Sequence, residues 1–63
     1  MKAILELNTA KYSIYEKLNS FTIHREPYCY PGCTEILGGQ PSFLETIQAC
    51  IFDDDMYREP LGR

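Results

Sequence analysis

A chain of 63 residues, 44% apolar and carrying five Tyr and three Phe, can close one hydrophobic core and no second, and it is too apolar for disorder. Its net charge of −3 is uneven: Lys2, Lys11, Lys17 and Arg25 outnumber Glu6 and Glu16 in residues 1–25, whereas seven acids face only Arg58 and Arg63 in residues 26–63. That balance disfavours nucleic-acid contact through the second half, and no apolar run is long enough for a signal peptide or a bilayer span.

In chain order, Lys2-Ala3-Ile4-Leu5-Glu6-Leu7 reads as a strand, with Ala3, Leu5 and Leu7 alternating against Lys2, Ile4 and Glu6. Asn8-Thr9 offers a helix cap, and Ala10, Ile14 and Leu18 at i, i+4, i+8 predict a helix over about 10–19. Tyr12-Ser13-Ile14-Tyr15 also fits an alternating strand, since Tyr and Ile favour sheets. Phe21-Thr22-Ile23-His24-Arg25 is the next strand, with Phe21, Ile23 and Arg25 on one face and Thr22 and His24 on the other.

Tyr30-Pro31-Gly32-Cys33 predicts a type II turn, because Pro presets the first central φ and Gly accepts a positive second one. Thr34-Glu35-Ile36-Leu37 then returns as a strand against 21–25. Ser42-Phe43-Leu44-Glu45 fits a capping box and opens a helix over about 43–52, whose apolar stripe is Leu44, Ile47 and Ile51 with Phe43 and Cys50 beside it. Residues 58–63 read as a frayed tail. The expected fold is α+β, a single compact domain over 1–63 in the order strand–helix–strand–strand–helix. Its expected core is Leu5, Leu7, Ile14, Leu18, Ile23, Phe43, Leu44, Ile47 and Ile51.

Three cysteines are an odd number for a secreted disulfide framework, so reduced thiols and a cytoplasmic location are the simplest expectation. His24, Cys29, Cys33 and Cys50 have the chemistry of tetrahedral zinc ligands, which makes a zinc-stabilised structural or regulatory module the alternative reading. Against it, Cys29 and Cys33 are separated by three residues rather than two, and Cys50 falls beside an apolar helix face. A Cys thiol with His24 as its base would be the one catalytic pairing. A chain this short has little volume for a substrate cleft, and Gly38-Gly39 lacks phosphate-loop spacing, so no enzymatic activity and no cofactor are expected.

Asp53-Asp54-Asp55 crowds the expected helix end, where the macrodipole disfavours negative charge by about 0.3–1 kcal/mol each. Simple solvation, or capping of one further turn through Met56-Tyr57-Arg58, is the plain alternative to a functional role. Five tyrosines are more than so small a core can satisfy, and Tyr is enriched at protein interfaces. The candidate partner-binding residues are therefore Tyr28, Tyr30, Asp53, Asp54, Asp55 and Tyr57, facing a larger protein with a basic surface. In size and character the chain resembles the small inhibitors that phages and mobile elements encode against host machinery, anti-CRISPR proteins among them. The resemblance is one of profile and carries no motif, so it assigns no residue. It implies an interaction module that docks on a larger protein and modulates or blocks it, without contacting nucleic acid or membrane.

Overall fold

The computed structural model describes residues 1–57, and the expected tail at 58–63 lies outside them. Four strands run in sequence, β1 (Ala3–Glu6), β2 (Ala10–Lys17), β3 (Ser20–Pro27) and β4 (Glu35–Gln40), followed by one helix, α1 (Phe43–Met56). The strands form an antiparallel meander in the order β1-β2-β3-β4. The architecture is α+β, with α1 lying across one face of the sheet.

The helix expected over 10–19 is a strand, and the physical reason lies in its neighbours. As a strand β2 pairs with β1 on one side and β3 on the other, satisfying backbone groups along both edges. Its side chains then alternate, with Ala10, Tyr12 and Ile14 buried and Lys11, Ser13 and Tyr15 on the opposite face. The i, i+4, i+8 stripe is a coincidence of spacing: Leu18 sits in the hairpin loop, 90% exposed. That loop has two residues, because Lys17 already faces Ser20. Asn19 closes it at φ 67°, a left-handed conformation that Asn tolerates better than most residues.

Register aligns the side chains into rows across the sheet. Ala3, Ile14, Ile23 and Leu37 face one another in successive strands and point to α1. Leu5, Tyr12, Arg25 and Glu35 form the next row, and Arg25 and Tyr12 reach α1. On the uncovered face the corresponding row is Ile4, Ser13, His24 and Ile36. There the Tyr15 and His24 rings lie 4.5 Å apart. The split of Phe21, Ile23 and Arg25 from Thr22 and His24 is as the alternation predicts.

The β3–β4 connection contains the predicted turn. Cys33 N–H donates to the Tyr30 carbonyl at 3.1 Å and Gly32 adopts φ 87°, the signature of a type II turn. Glu26 braces it by accepting the Gly32 N–H at 2.9 Å.

Ser42 caps α1, its hydroxyl accepting the Glu45 N–H at 3.2 Å. The helix runs one turn beyond the expected end and is rotated from the expected face by one residue, about 100°. Thr46, Cys50 and Asp54 are the residues it buries, Ile47 packs beside them, and Leu44 and Ile51 face outward. The fully buried core is Ala10, Tyr12, Ile14, Ile23 and Cys50, with Leu5, Leu7, Phe21, Leu37 and Ile47 packed around it. Of the expected core, Leu18, Leu44 and Ile51 are exposed, while Phe43 sits at the margin with its ring 5.8 Å from that of Phe21.

Candidate partner-binding surface

Two of the three consecutive aspartates explain the rotation of α1. Asp53 faces the Leu5–Tyr12–Arg25–Glu35 row. Its Oδ2 accepts the Tyr12 hydroxyl at 2.6 Å and pairs with Arg25 Nη1, also at 2.6 Å. Arg25 Nη2 pairs in turn with Glu35, and the Tyr57 ring covers the guanidinium with its centroid 5.0 Å away. Asp54, buried, accepts the Asn8 N–H at 3.2 Å, the Thr9 N–H at 2.7 Å and the Thr9 hydroxyl at 2.5 Å. Rotating α1 to bury Leu44 and Ile51 would strand these donors, and an unmet buried donor costs about 1–3 kcal/mol. Polar anchoring outweighs the apolar stripe.

The electrostatics follow from this geometry. Burial pushes the Tyr12 phenol up, and the hydrogen bond to anionic Asp53 pushes it further the same way. For Asp54, burial acts to raise the carboxyl, but the bonds from Thr9 and Asn8 outweigh it and hold it below its ordinary value. Desolvation works against the Arg25 charge, yet its bonds to Glu35 and Asp53 leave the guanidinium more firmly protonated than usual. Asp53 and Asp54 are thus held within the fold, while Asp55 lies exposed on the outer side of the same turn.

The other expected contact residues gather at the same end of the molecule. Tyr28 donates its N–H to the Thr9 carbonyl at 3.1 Å, next to the residue that Asp54 holds. Its exposed ring lines a shallow groove of about 290 Å³ with Glu6, Lys11, Glu26, Pro27 and Pro31. Tyr57 lies beside Cys29 and Tyr30, and partial burial together with the Cys29 thiol raises its phenol. Residues 28–30 and 53–57, remote in sequence, are brought to one corner.

A further feature of the surface is not among the expected contacts. Leu44 is 65% exposed, Ile51 54%, Phe52 68% and Met56 58%, all on the side of α1 away from the sheet. From Leu44 to Met56 they span about 18 Å at 1.5 Å per residue. The clue in the sequence is that residues 43–56 hold apolar side chains on every side of a helical wheel. Only one side can face a single sheet.

The structure does not bring the four donors of the zinc reading together. His24 belongs to the uncovered face of the sheet, Cys50 is buried under the other face, and Cys29 and Cys33 are exposed on the β3–β4 connection. Among the described residues, no three His, Cys, Asp or Glu side chains are grouped to hold a metal ion. Among the same residues, no helix is long and apolar enough to cross a membrane. No protein-family model, curated protein or solved structure matches this chain.

Proposed function

We propose that this protein is an interaction module that docks on a larger protein and modulates or blocks it, using the outward face of α1 and the adjoining corner formed by Tyr28, Tyr30 and Tyr57. It acts by surface contact and has no catalytic role, in the manner of the inhibitors that phages and mobile elements direct at host machinery, anti-CRISPR proteins included. The observation that supports this reading is the exposure of Leu44, Ile51, Phe52 and Met56 together on one helix face. Scattered exposed apolar side chains are ordinary on a protein surface, whereas large ones grouped on one element mark interaction sites. The tyrosine corner supplies flat, rigid rings of the kind that anchor interfaces.

The experiment is site-specific photo-crosslinking in cells that express the protein. A benzophenone side chain at position 52 should capture one defined larger protein. The same group at position 13, on the uncovered sheet face, should not. Equal capture from both positions, or none from position 52, would refute the reading.

A further inference from the structure

The shallow groove beside Tyr28 has a charge balance that selects its occupant. Register sets Glu6, Lys11 and Glu26 side by side across β1, β2 and β3. Glu26 uses both oxygens within the fold: Oε2 accepts the Gly32 N–H at 2.9 Å, and Oε1 lies 3.6 Å from Lys11 Nζ. The Lys11 charge is thereby matched. Glu6 is exposed and, among the described residues, its carboxylate makes no hydrogen bond or ion pair. One negative charge is left over at the groove, which it lines together with the half-exposed Tyr28 ring.

The walls are fixed before any ligand arrives. Tyr28 is tied by its N–H to the Thr9 carbonyl at 3.1 Å, and the Tyr30 N–H returns to the Pro27 carbonyl at 3.2 Å. Pro27 and Pro31 add rings of preset φ, and Glu26 braces the turn that holds Pro31. A site already in its bound shape loses less freedom on binding. At about 290 Å³ the groove lies at the lower bound of ligand sites, which run to about 1,000 Å³, so one side chain suits it better than a large ligand.

A flat, forked cation matches these walls. A guanidinium stacks on a Tyr face and offers two parallel N–H groups to a carboxylate, whereas an ammonium is a hydrated point charge that does neither. The fold uses the same combination internally. The Arg25 guanidinium lies 5.0 Å from the centre of the Tyr57 ring and pairs with Asp53 and Glu35. An anion would instead meet the unmatched Glu6. We infer that the groove receives an arginine side chain of the partner protein, its guanidinium stacked on Tyr28 and paired with Glu6. Pro27 and Pro31 face its methylenes. The inference deepens the docking role proposed above and rests on it for the source of that side chain.

The test is an NMR titration of the isotope-labelled full chain with the tripeptide acetyl-Gly-Arg-Gly-amide and its Lys and citrulline counterparts. The Arg tripeptide at millimolar concentration should shift the amide signals of Glu6, Lys11 and Tyr28 saturably. Citrulline, of the same shape without the charge, should bind about tenfold more weakly, and Lys several-fold more weakly. Tyr28→Ala should weaken Arg binding about tenfold, whereas Tyr28→Phe should keep it, because stacking needs the ring and not the hydroxyl. Glu6→Gln should weaken it several-fold and flatten its salt dependence. Glu45→Gln, which removes a like charge from the first turn of α1, should change nothing.

Equal binding of the Arg and citrulline tripeptides would overturn the inference. So would equal losses in Glu6→Gln and Glu45→Gln, which would mean diffuse attraction. Free arginine binding about tenfold more tightly than the tripeptide would assign the groove to a small amino-acid ligand instead of a protein side chain. Binding that appears only after deletion of residues 58–63 would assign it to the chain's own Arg58 or Arg63. Capture at position 52 in cells combined with no arginine-selective shift would reject this occupant and leave the docking role standing. A Glu6-dependent arginine site without capture at position 52 would support the groove chemistry and reject docking through α1.

Discussion

The Asp54 carboxylate and the Thr9 N–H meet at 2.7 Å, tying the last turn of α1 to the β1–β2 turn across 45 residues of sequence. The Thr9 hydroxyl and the Asn8 N–H share the same carboxylate, so three donors depend on one side chain. Asp54→Ala should cost about 2–4 kcal/mol, since hydrogen bonds to a charged group contribute about 1.5–3 kcal/mol each and their loss leaves buried donors unmet. Urea unfolding measures this. A variant as stable as the parent would show that the latch is dispensable.

The same contact sets an acid limit. The Asp54 carboxyl is held below its ordinary value, so its contribution is complete above the unfolded value near pH 4 and is lost as pH falls through the folded value. Thermal midpoints of the parent should drop more steeply below about pH 4 than those of Asp54→Asn. Parallel curves would remove Asp54 from the acid transition.

Tyr12 gives the opposite sign. Its phenol is raised by burial and by Asp53, so the stability tied to its neutral form is present below the unfolded value near pH 10 and is lost as pH rises beyond it. Tyr12→Phe should cost about 1–2 kcal/mol at neutral pH through the lost bond to Asp53, and should flatten the alkaline decline. An alkaline decline that persists undiminished in Tyr12→Phe would assign it to other groups.

These anchors explain which parts of the fold were legible. β1, β3, the Pro31-Gly32 turn and the Ser42 cap each rest on a local rule, alternation, a preset φ or a capping oxygen, and each is where that rule places it, whereas β4 starts one residue later than expected and runs on through Gly38-Gly39 to Gln40. β2 depends on its neighbours. Ala10, Tyr12 and Ile14 satisfy period two as well as Ala10, Ile14 and Leu18 satisfy a helical stripe, and only the two strands flanking them decide. The rotation of α1 was still less accessible, because Asp53 and Asp54 find Arg25, Tyr12 and Thr9 only after the sheet has formed. Reading the triplet as a costly helix end was sound as far as the macrodipole went. The macrodipole argument leaves out that Asp53 and Asp54 bond to residues of the sheet and of the β1–β2 turn. The exposure of Leu44 and Ile51 follows from the same rotation, which turns them outward beside Phe52 and Met56.

The β2–β3 hairpin separates strand from helix by substitution. Leu18→Ser should change stability by less than about 0.5 kcal/mol, because the side chain is 90% exposed in the loop. A helix over 10–19 would make Leu18 part of the buried stripe and the same change costly. Asn19→Val should cost about 1–2 kcal/mol, since a β-branched residue resists the left-handed φ of 67°, whereas Asn19→Gly should be neutral or slightly stabilising. Chemical denaturation of the three variants reads the pattern, and a destabilising Leu18→Ser would contradict the hairpin.

The thiols provide a test of the whole arrangement, since each reports a different layer. Cys29 and Cys33 are exposed on the β3–β4 connection, while Cys50 is buried against Tyr12, Ile14 and Ile23. Burial pushes the Cys50 thiol up to about 11, with Asp53 adding to the shift, so it holds almost no thiolate at neutral pH. An aromatic disulfide reagent should therefore label two thiols of the native protein quickly and the third only as fast as the core opens. Denaturant should bring the third into the fast phase. Zinc should leave this pattern unchanged, because His24 and Cys50 lie on opposite sides of the sheet and cannot join Cys29 and Cys33 at one ion. Protection of Cys29 and Cys33 by stoichiometric zinc, lost on His24→Ala or Cys50→Ala, would show that the four donors converge after all and that α1 and β3 pack differently. Three fast thiols in the native protein would mean that Cys50 is outside the core, and the rotation of α1 that exposes Leu44 and Phe52 would fall with it.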